Sequence, residues 1–435
     1  MPCNEPPRRG GRFCYLKNNR ESAVLSRVDY YHGLVDLFGP CTGWQQRKKT
    51  MGGRLLFVTL YDMERTPYAE CILPSLAAAG WDITVVGPNA RRSALRDAVP
   101  YLCRAIDLPA RRLARELKIR TLLLSGRIGP YDLICVHSQE LGCRAWPPLI
   151  GSRKLVYYTM DYYDPLRHPL HTWLEKKTAR QARLNINAEF HRGYIYRAQY
   201  RLRSPLLVVA PALPAAWPTV FKPGLSGQGA SRSPAAFTLA LHGTYSQLRM
   251  VDELLDALKL LPARFQLLMG TGGSSHGVLQ QRLEELELGD RVRFLKSTKF
   301  SDMVRETGDC DAGVLLYRNT DLGNFFQAPG RLTEYLVNGL PVLASCHTGL
   351  EQLVTRFGIG ECVDSRKPER IAAGLLRLEA RVRSGELTRH HCREVFLAHF
   401  AVDNRAAAIV DAFEAARSQR HGRVPPEPPD PWWWD

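Results

Sequence analysis

From Arg54 onward, short apolar runs alternate with stretches in which apolar residues recur every three or four positions. Runs such as "RLLFVTL" and "YDLICVHS" are continuous in Val, Ile, Leu and aromatic residues, which is typical of strands buried on both faces. Stretches such as "MVDELLDALKLLP" have the spacing of amphipathic helices. Repeated strand and helix units of this kind predict an α/β protein with parallel sheets covered by helices on both faces.

The strand and helix units fall into two sets of similar build, and a Gly-, Ser- and Pro-rich stretch separates them. Two such domains create a cleft, which is the usual ligand site of this architecture. Residues 1–50 lack clear periodicity, and we expect them to be disordered or an over-long gene prediction. The remaining predicted divisions are an N-terminal Rossmann-like domain over 51–221, a linker over 222–236, a C-terminal Rossmann-like domain over 237–395, a helical segment over 396–420 and a Pro/Trp-rich tail over 421–435.

Composition narrows the possible partners. The net charge of +16 favours anionic partners, namely nucleic acid, membrane surfaces or phosphorylated substrates. No nucleic-acid-binding signature is recognisable, so we expect no nucleic-acid partner. The 11 cysteines are scattered without a Cys-x-x-Cys pair, which favours reduced thiols. No run reaches the length of a membrane span and the start resembles no signal peptide, so we expect a cytoplasmic protein, in some settings at the inner membrane surface.

The stretch "APGRLTEYLVNGLPVLAS" contains one carboxylate, Glu334, close to Arg331. Leu332, Tyr335 and Leu336 lie on one helix face, and the preceding loop predicts a helix N-terminus that can bind an anion. Two interpretations remain open from the residues alone. Glu334 accepts hydrogen bonds from sugar hydroxyls, or Glu334 and Arg331 form a weak pair on a solvated helix face.

This stretch resembles the corresponding helix of the retaining GT-B glycosyltransferases of family 4, also called group 1. In that family a Glu-x7-Glu element precedes a "GxPVVA" strand, and Glu334 matches the second, ribose-binding Glu. Phe326 stands where the first Glu is expected. The resemblance implies two facing Rossmann-like domains, and transfer of a sugar from a nucleoside diphosphate sugar to an acceptor with retention of configuration. It implies neither a bound metal nor a cofactor.

The same resemblance implies the rest of the donor site. In "LALHGTYSQLRMVDELLDAL", Gly243 matches the family's glycine turn, and Arg249 takes the place of the basic residue that contacts the donor diphosphate. Thr244 replaces an Arg of the family pattern. The helix-opening N–H groups map to Pro329, Gly330 and Arg331, where Pro329 cannot donate and the Arg331 guanidinium is expected to compensate. The loop at Gly323 and Asn324 completes the expected donor-binding set.

The first domain is expected to hold the acceptor. Asp161 follows the strand "LVYYTMD" and His137 ends "YDLICVH", and both are candidate catalytic residues, although His137 is equally well explained as a packed histidine. The basic, aromatic segment 167–203 suggests contact with a membrane surface or a lipid-linked acceptor, or else a solvated helix pair.

Two further alternatives concern metal binding and function. Asp309 and Asp311 form an Asp-x-Asp pair that superficially suggests a metal site, but its position favours a structural role at a strand end. A sugar-nucleotide epimerase and a non-catalytic nucleotide-sugar-binding protein remain alternatives to a transferase, because both can use the same fold.

Overall fold

The computed structural model describes residues 52–162, 168–219, 236–243, 245–270, 276–297, 299–327 and 330–418. The interpretations that concern residues 1–50, Pro329, Thr244, nearly all of the linker and the tail therefore lie outside the described residues. Within the described residues the chain forms two parallel sheets, each flanked by helices, so the predicted fold class is confirmed.

The first sheet has seven parallel strands in the order β3-β2-β1-β4-β5-β6-β7. Its central strands are almost entirely buried, as their continuous apolar runs predict. The strands are β1 (Arg54–Thr59), β2 (Asp82–Gly87), β3 (Arg104–Asp107), β4 (Leu133–His137), β5 (Leu155–Thr159), β6 (Leu184–Asn187) and β7 (Leu206–Val208). The helices are α1 (Leu73–Ala78), α2 (Ala94–Ala98), α3 (Arg112–Ile128), α4 (Gln139–Leu149), α5 (Pro169–Gln181) and α6 (Phe190–Tyr200).

The second sheet has six parallel strands in the order β10-β9-β8-β11-β12-β13. The strands are β8 (Phe237–Leu241), β9 (Phe265–Met269), β10 (Val292–Phe294), β11 (Ala312–Leu315), β12 (Val342–Ser345) and β13 (Gly360–Val363). The helices are α7 (Val251–Leu260), α8 (His276–Glu285), α9 (Phe300–Thr307), α10 (Leu322–Phe325), α11 (Gly330–Val337), α12 (Thr348–Phe357), α13 (Pro368–Arg383), α14 (Arg389–Val395) and α15 (Ala406–Ser418). In both sheets the first strand lies inside the sheet, so the carboxyl ends of neighbouring strands form a crevice.

The C-terminal segment crosses back to the first domain. The predicted helical stretch is interrupted by a π-helical turn at Phe396–Phe400 and a 3₁₀ turn at Val402–Arg405 before α15 begins. In α15, Phe413 packs edge-on against Trp81 of the first domain, with ring centroids 5.8 Å apart. Arg183 Nη1 also donates to the carbonyl of Ala416 at 2.9 Å. This return crossing therefore packs the C-terminal helix of the chain against the first domain.

Two further features of the described residues are the state of the cysteines and the length of the helices. The eight described cysteines are all free thiols. Among the described helices, none is both long enough and apolar enough to cross a bilayer.

Candidate active site

Glu334 lies in α11, beside the turn that follows β8, and only 5% of its surface is exposed. Both of its carboxylate oxygens have partners. Oε2 pairs with Nδ1 of His242, and Oε1 accepts a hydrogen bond from the hydroxyl of Tyr68 in the first domain. The interpretation as a solvated helix residue is therefore wrong, because burial and two polar partners fix the side chain.

The surroundings of Glu334 keep it ionised. Burial alone would raise the pKa of this carboxyl group, since a charge is poorly solvated inside a protein. The opposing effects of His242, the Tyr68 hydroxyl and the Arg331 charge are together larger, and they lower the pKa below its ordinary value. Glu334 is thus a buried anion at neutral pH.

Arg331 is also buried, and it fastens the turn after β8. Its Nη1 donates to the carbonyl of His242 at 3.0 Å, and its Nη2 donates to the hydroxyl of Tyr317. Burial acts to lower the pKa of Arg331, but Tyr317, Tyr335 and Glu334 raise it overall. Arg331 was expected to contact phosphate. In the structure it already donates hydrogen bonds to two protein groups and keeps its positive charge.

Gly243 and Arg249 meet at the same turn. Gly243 has a φ of +101°, a conformation that favours glycine, and a Cβ at this position would collide with the Arg249 guanidinium. Arg249 is half-buried, and its buried Nη1 makes no hydrogen bond with any residue that the structure describes. Burial, followed by the nearby charge of Arg331, lowers the pKa of Arg249.

The charges of Arg249 and Arg331 are close enough to affect each other, and Arg331 lies in the first turn of α11. Their mutual repulsion and the unpaired N–H of Arg249 mean that a bound anion would stabilise this arrangement. The helix N-terminus adds further N–H groups and a positive dipole end. This part of the second domain has the chemistry expected for binding a diphosphate.

The remaining expected donor residues lie where the domains approach each other. A Cβ on Gly330 would collide with the Tyr68 ring, and one on Gly323 would come within 3.3 Å of Tyr162 Cβ. The Asn324 amide donates to Thr320 Oγ1 at 3.0 Å and to Asp321 Oδ2 at 2.8 Å. Gly330 therefore lies beside Tyr68, the partner of Glu334, whereas Gly323 and Asn324 form a separate turn.

Phe326, at the position of the family's first Glu, forms an aromatic contact between the domains. It stacks on His191 with ring centroids 4.7 Å apart and planes inclined by 16°. His191 Nδ1 lies 2.8 Å from Oε1 of Glu189. This group borders an interdomain cavity of about 790 Å³, which is also lined by Gln327, Thr333 and Arg405.

The two candidate catalytic residues have different surroundings. His137 is completely buried, stacks on Tyr158 at 4.2 Å and contacts Thr59 Oγ1 at 3.2 Å through Nδ1. Burial lowers the pKa of His137 to about 3, so the ring is neutral. Asp161 is exposed after β5, and its Oδ2 accepts a hydrogen bond from Tyr61. Their catalytic roles remain predictions, with Asp161 the more accessible of the two.

The segment 167–203, of which residues 168–203 are described, forms the helices α5 and α6. Its buried tyrosines, Tyr196 and Tyr200, point toward Glu175 in the interior, whereas Leu170 and Trp173 are exposed by 65% and 48%. Part of the aromatic pattern therefore belongs to the core of the first domain.

The Asp-x-Asp pair has a structural explanation. Asp311 Oδ2 accepts the backbone N–H of Thr238 at 2.6 Å, which ties β11 to β8. In the described part of the chain, no group of three or more His, Cys, Asp or Glu side chains is arranged to hold a metal ion.

Sequence reasoning missed Tyr68 and His242. His242 directly precedes the glycine turn, so its position was a usable signal. Tyr68 lies 266 positions from Glu334 along the chain, and only the meeting of the two domains brings them together.

Comparisons with known proteins concern the family of the second domain and the fold of the chain. Residues 238–393 match the family model "Glycosyl transferases group 1". A comparison with curated protein sequences found no match.

Solved structures with the same fold match this chain over nearly the whole of their own length. Sucrose-phosphate synthase from Thermosynechococcus elongatus is 17% identical, with a TM-score of 0.66 over 83% of this chain and 98% of that one. The Anabaena protein Alr3699/HepE in complex with UDP-glucose is 16% identical, with a TM-score of 0.64 over 84% and 100%. A Listeria monocytogenes protein assigned as a UDP-N-acetylglucosamine 2-epimerase is 10% identical, with a TM-score of 0.52 over 86% and 99%. Residues 238–393 therefore match the model of the group 1 glycosyltransferases, and the chain as a whole has the GT-B fold of these solved structures.

Proposed function

We propose that this protein is a glycosyltransferase that moves a hexose from a nucleoside diphosphate sugar to an acceptor with retention of configuration. The observation that supports it most is the buried, unpaired Nη1 of Arg249 beside the charge of Arg331. A diphosphate is the anion that a donor of this class would bring to that pocket. The UDP-glucose complex of Alr3699/HepE gives an example of such a ligand in a protein of the same fold.

The proposed roles follow from the charges. Arg249 and Arg331 stabilise the negative charge that develops on the departing diphosphate. Glu334, ionised and fixed by His242, accepts hydrogen bonds from the ribose hydroxyls once the Tyr68 hydroxyl gives way. In this scheme the departing phosphate takes the acceptor proton, so no protein nucleophile is needed. We also propose that the reaction requires no separate cofactor and no metal.

The acceptor belongs on the first domain, where Asp161 is exposed at the cleft end of β5. We propose a lipid-linked acceptor of cell-surface polysaccharide or glycoconjugate synthesis, used on the cytoplasmic side of the inner membrane. The excess of basic residues supports an acceptor of this kind, because lipid-linked diphosphates and anionic headgroups both attract cations.

A sugar-nucleotide epimerase is the second candidate, because the Listeria protein has the same fold. A non-catalytic nucleotide-sugar-binding protein is the third, since Phe326 replaces a carboxylate of the family pattern. Either alternative would use the same diphosphate pocket.

One experiment separates these three functions. The purified chain is screened by thermal shift against UDP-, GDP- and dTDP-sugars, and each stabilising sugar is then incubated with candidate acceptors and followed by mass spectrometry and NMR. Transfer, or slow hydrolysis with retained configuration, supports the proposal. Inversion at C2 would show an epimerase, and binding without turnover would show a binding protein. The absence of binding to every donor would contradict all three.

A further inference from the structure

The outward face of α3 carries a stripe of large apolar side chains. Leu113, Leu117, Leu124 and Ile128 are exposed by 85%, 69%, 47% and 87%. Their spacing of four, seven and four residues places them along one side of the helix. Single exposed leucines are common on protein surfaces, but four large apolar side chains along one side of one helix are typical of an interaction surface.

A different side of the same helix attaches it to the first domain. Ile119, Leu123 and Gly126 are its buried residues. At Gly126 the helix comes so close to the sheet that a Cβ would lie 2.8 Å from Leu56 Cδ2. The stripe is therefore additional to the contacts that hold α3 in place.

The charges around the stripe are almost all positive. The helix contains five basic residues and one acidic residue, Glu116, whose carboxylate is paired with Arg144 of α4 at 2.9 Å. Lys118, Arg120 and Arg127 are exposed, and none of the three forms an ion pair with a described residue. The helix thus offers aliphatic side chains bordered by unpaired cations.

We propose that this face of α3 docks on an anionic lipid bilayer. The four aliphatic side chains would enter the boundary between headgroups and acyl chains, while the flanking cations contact lipid phosphates. The same domain also exposes Trp173 of α5, which lies against Trp146 of α4 with ring centroids 5.7 Å apart. Tryptophan is favoured at this depth of a membrane.

Charge complementarity favours a bilayer over the other occupants. A second copy of the helix would bring like charges together. Residues 1–50 contain nine basic and four acidic residues, so they too would be repelled. A nucleic acid would pair with the cations, but it gains its stacking from aromatic side chains and leaves aliphatic ones wet. Of these occupants, an anionic bilayer is the one that matches both the aliphatic and the basic parts of the surface.

Vesicle cosedimentation of the full chain tests the proposal without any assay of activity. The vesicles are phosphatidylcholine alone, or phosphatidylcholine with phosphatidylglycerol. We expect binding to the anionic vesicles, and a decrease of about tenfold or more in the partition coefficient for the double variant Leu117→Gln/Leu124→Gln. The matched control is Leu260→Gln/Val278→Gln, at exposed apolar positions of the second domain, and it should bind as the unchanged chain does.

Three results would overturn the proposal. The first is equal binding, or none, to the two kinds of vesicle. The second is loss of binding on Trp173→Ala but not on Leu117→Gln/Leu124→Gln, which would place the membrane contact in segment 167–203. The third is a dimer in light scattering that the α3 variant dissociates, without any binding of the unchanged chain to vesicles. That result would show that a second copy covers the stripe.

Discussion

Glu334 and Glu175 are both buried carboxylates, yet their neighbours give them opposite properties. Glu334 has His242 and Arg331 close by, and its pKa is lowered. Glu175 in α5 accepts hydrogen bonds from Tyr157 at 2.6 Å and Gln139 at 3.0 Å. Those partners are neutral, and burial raises its pKa to about 7.

The comparison shows that burial alone does not decide the charge of a carboxylate. The Arg331 charge and the polar partners of Glu334 keep a buried anion ionised near the unpaired Arg249 N–H, which is a binding arrangement. Hydroxyl and amide donors around Glu175 satisfy its oxygens without a cation, which is a structural arrangement. The surroundings of Glu334 should therefore respond to a bound ligand, and the protonation of Glu175 should respond to pH.

The largest expected effect concerns Glu334→Gln. Removal of the negative charge should weaken donor binding by about 10- to 100-fold, because a charged hydrogen-bond acceptor for the ribose is lost. Isothermal titration calorimetry with the best nucleotide sugar measures the change. The control is Glu379→Gln, a buried carboxylate paired with Arg264 at 2.8 Å on the far side of the same domain. Unchanged donor affinity in Glu334→Gln would exclude the ribose role.

The second prediction concerns the stability of Glu175→Gln as a function of pH. Since the folded pKa of Glu175 is raised from 4.5 to about 7, its protonated form favours folding, and this stability is lost as pH rises through about 7. Glutamine does not ionise, so the variant does not lose stability in this pH range. The free energy of unfolding of the variant, minus that of the unchanged chain, should therefore rise by about 2–3 kcal/mol from pH 5 to pH 8. Urea denaturation at both pH values measures it, and parallel pH dependences would show that Glu175 does not titrate this way.

A smaller effect is expected for Tyr68→Phe. The change removes the hydroxyl that occupies Oε1 of Glu334 and keeps the ring packed edge-on against Phe300 at 5.7 Å. One hydrogen bond to the Glu334 carboxylate fewer to displace should improve donor affinity by about fivefold or more. Tyr101→Phe, which removes a hydroxyl from Glu70 instead, is the matched control. Weaker donor binding in Tyr68→Phe would mean that the hydroxyl itself contacts the donor.

Much of the fold could be predicted from the sequence because its signals are local. Buried parallel strands are continuous apolar runs, and the Gly243 turn and Arg249 lie within a few residues of each other. The helix around Glu334 was also recognisable from its apolar spacing.

The parts that were missed depend on contacts between distant segments. Tyr68 reaches Glu334 only through the meeting of the two domains, and Arg331 finds Tyr317 only after β11 and α11 have packed. The exposed stripe on α3 could not be recognised from periodicity, because a sequence does not show which side of a helix faces the sheet. Periodicity alone also did not predict the break at Phe396–Arg405.

The central claim is that Arg249 helps to bind a donor diphosphate. Isothermal titration calorimetry should compare a nucleoside diphosphate with its nucleoside, on the unchanged chain, on Arg249→Ala and on the exposed control Arg293→Ala. We expect the unchanged chain and the control to bind the diphosphate about 100-fold or more tightly than the nucleoside. In Arg249→Ala this ratio of affinities should fall at least about tenfold while the protein remains folded. An equal preference in Arg249→Ala and the unchanged chain would contradict the account.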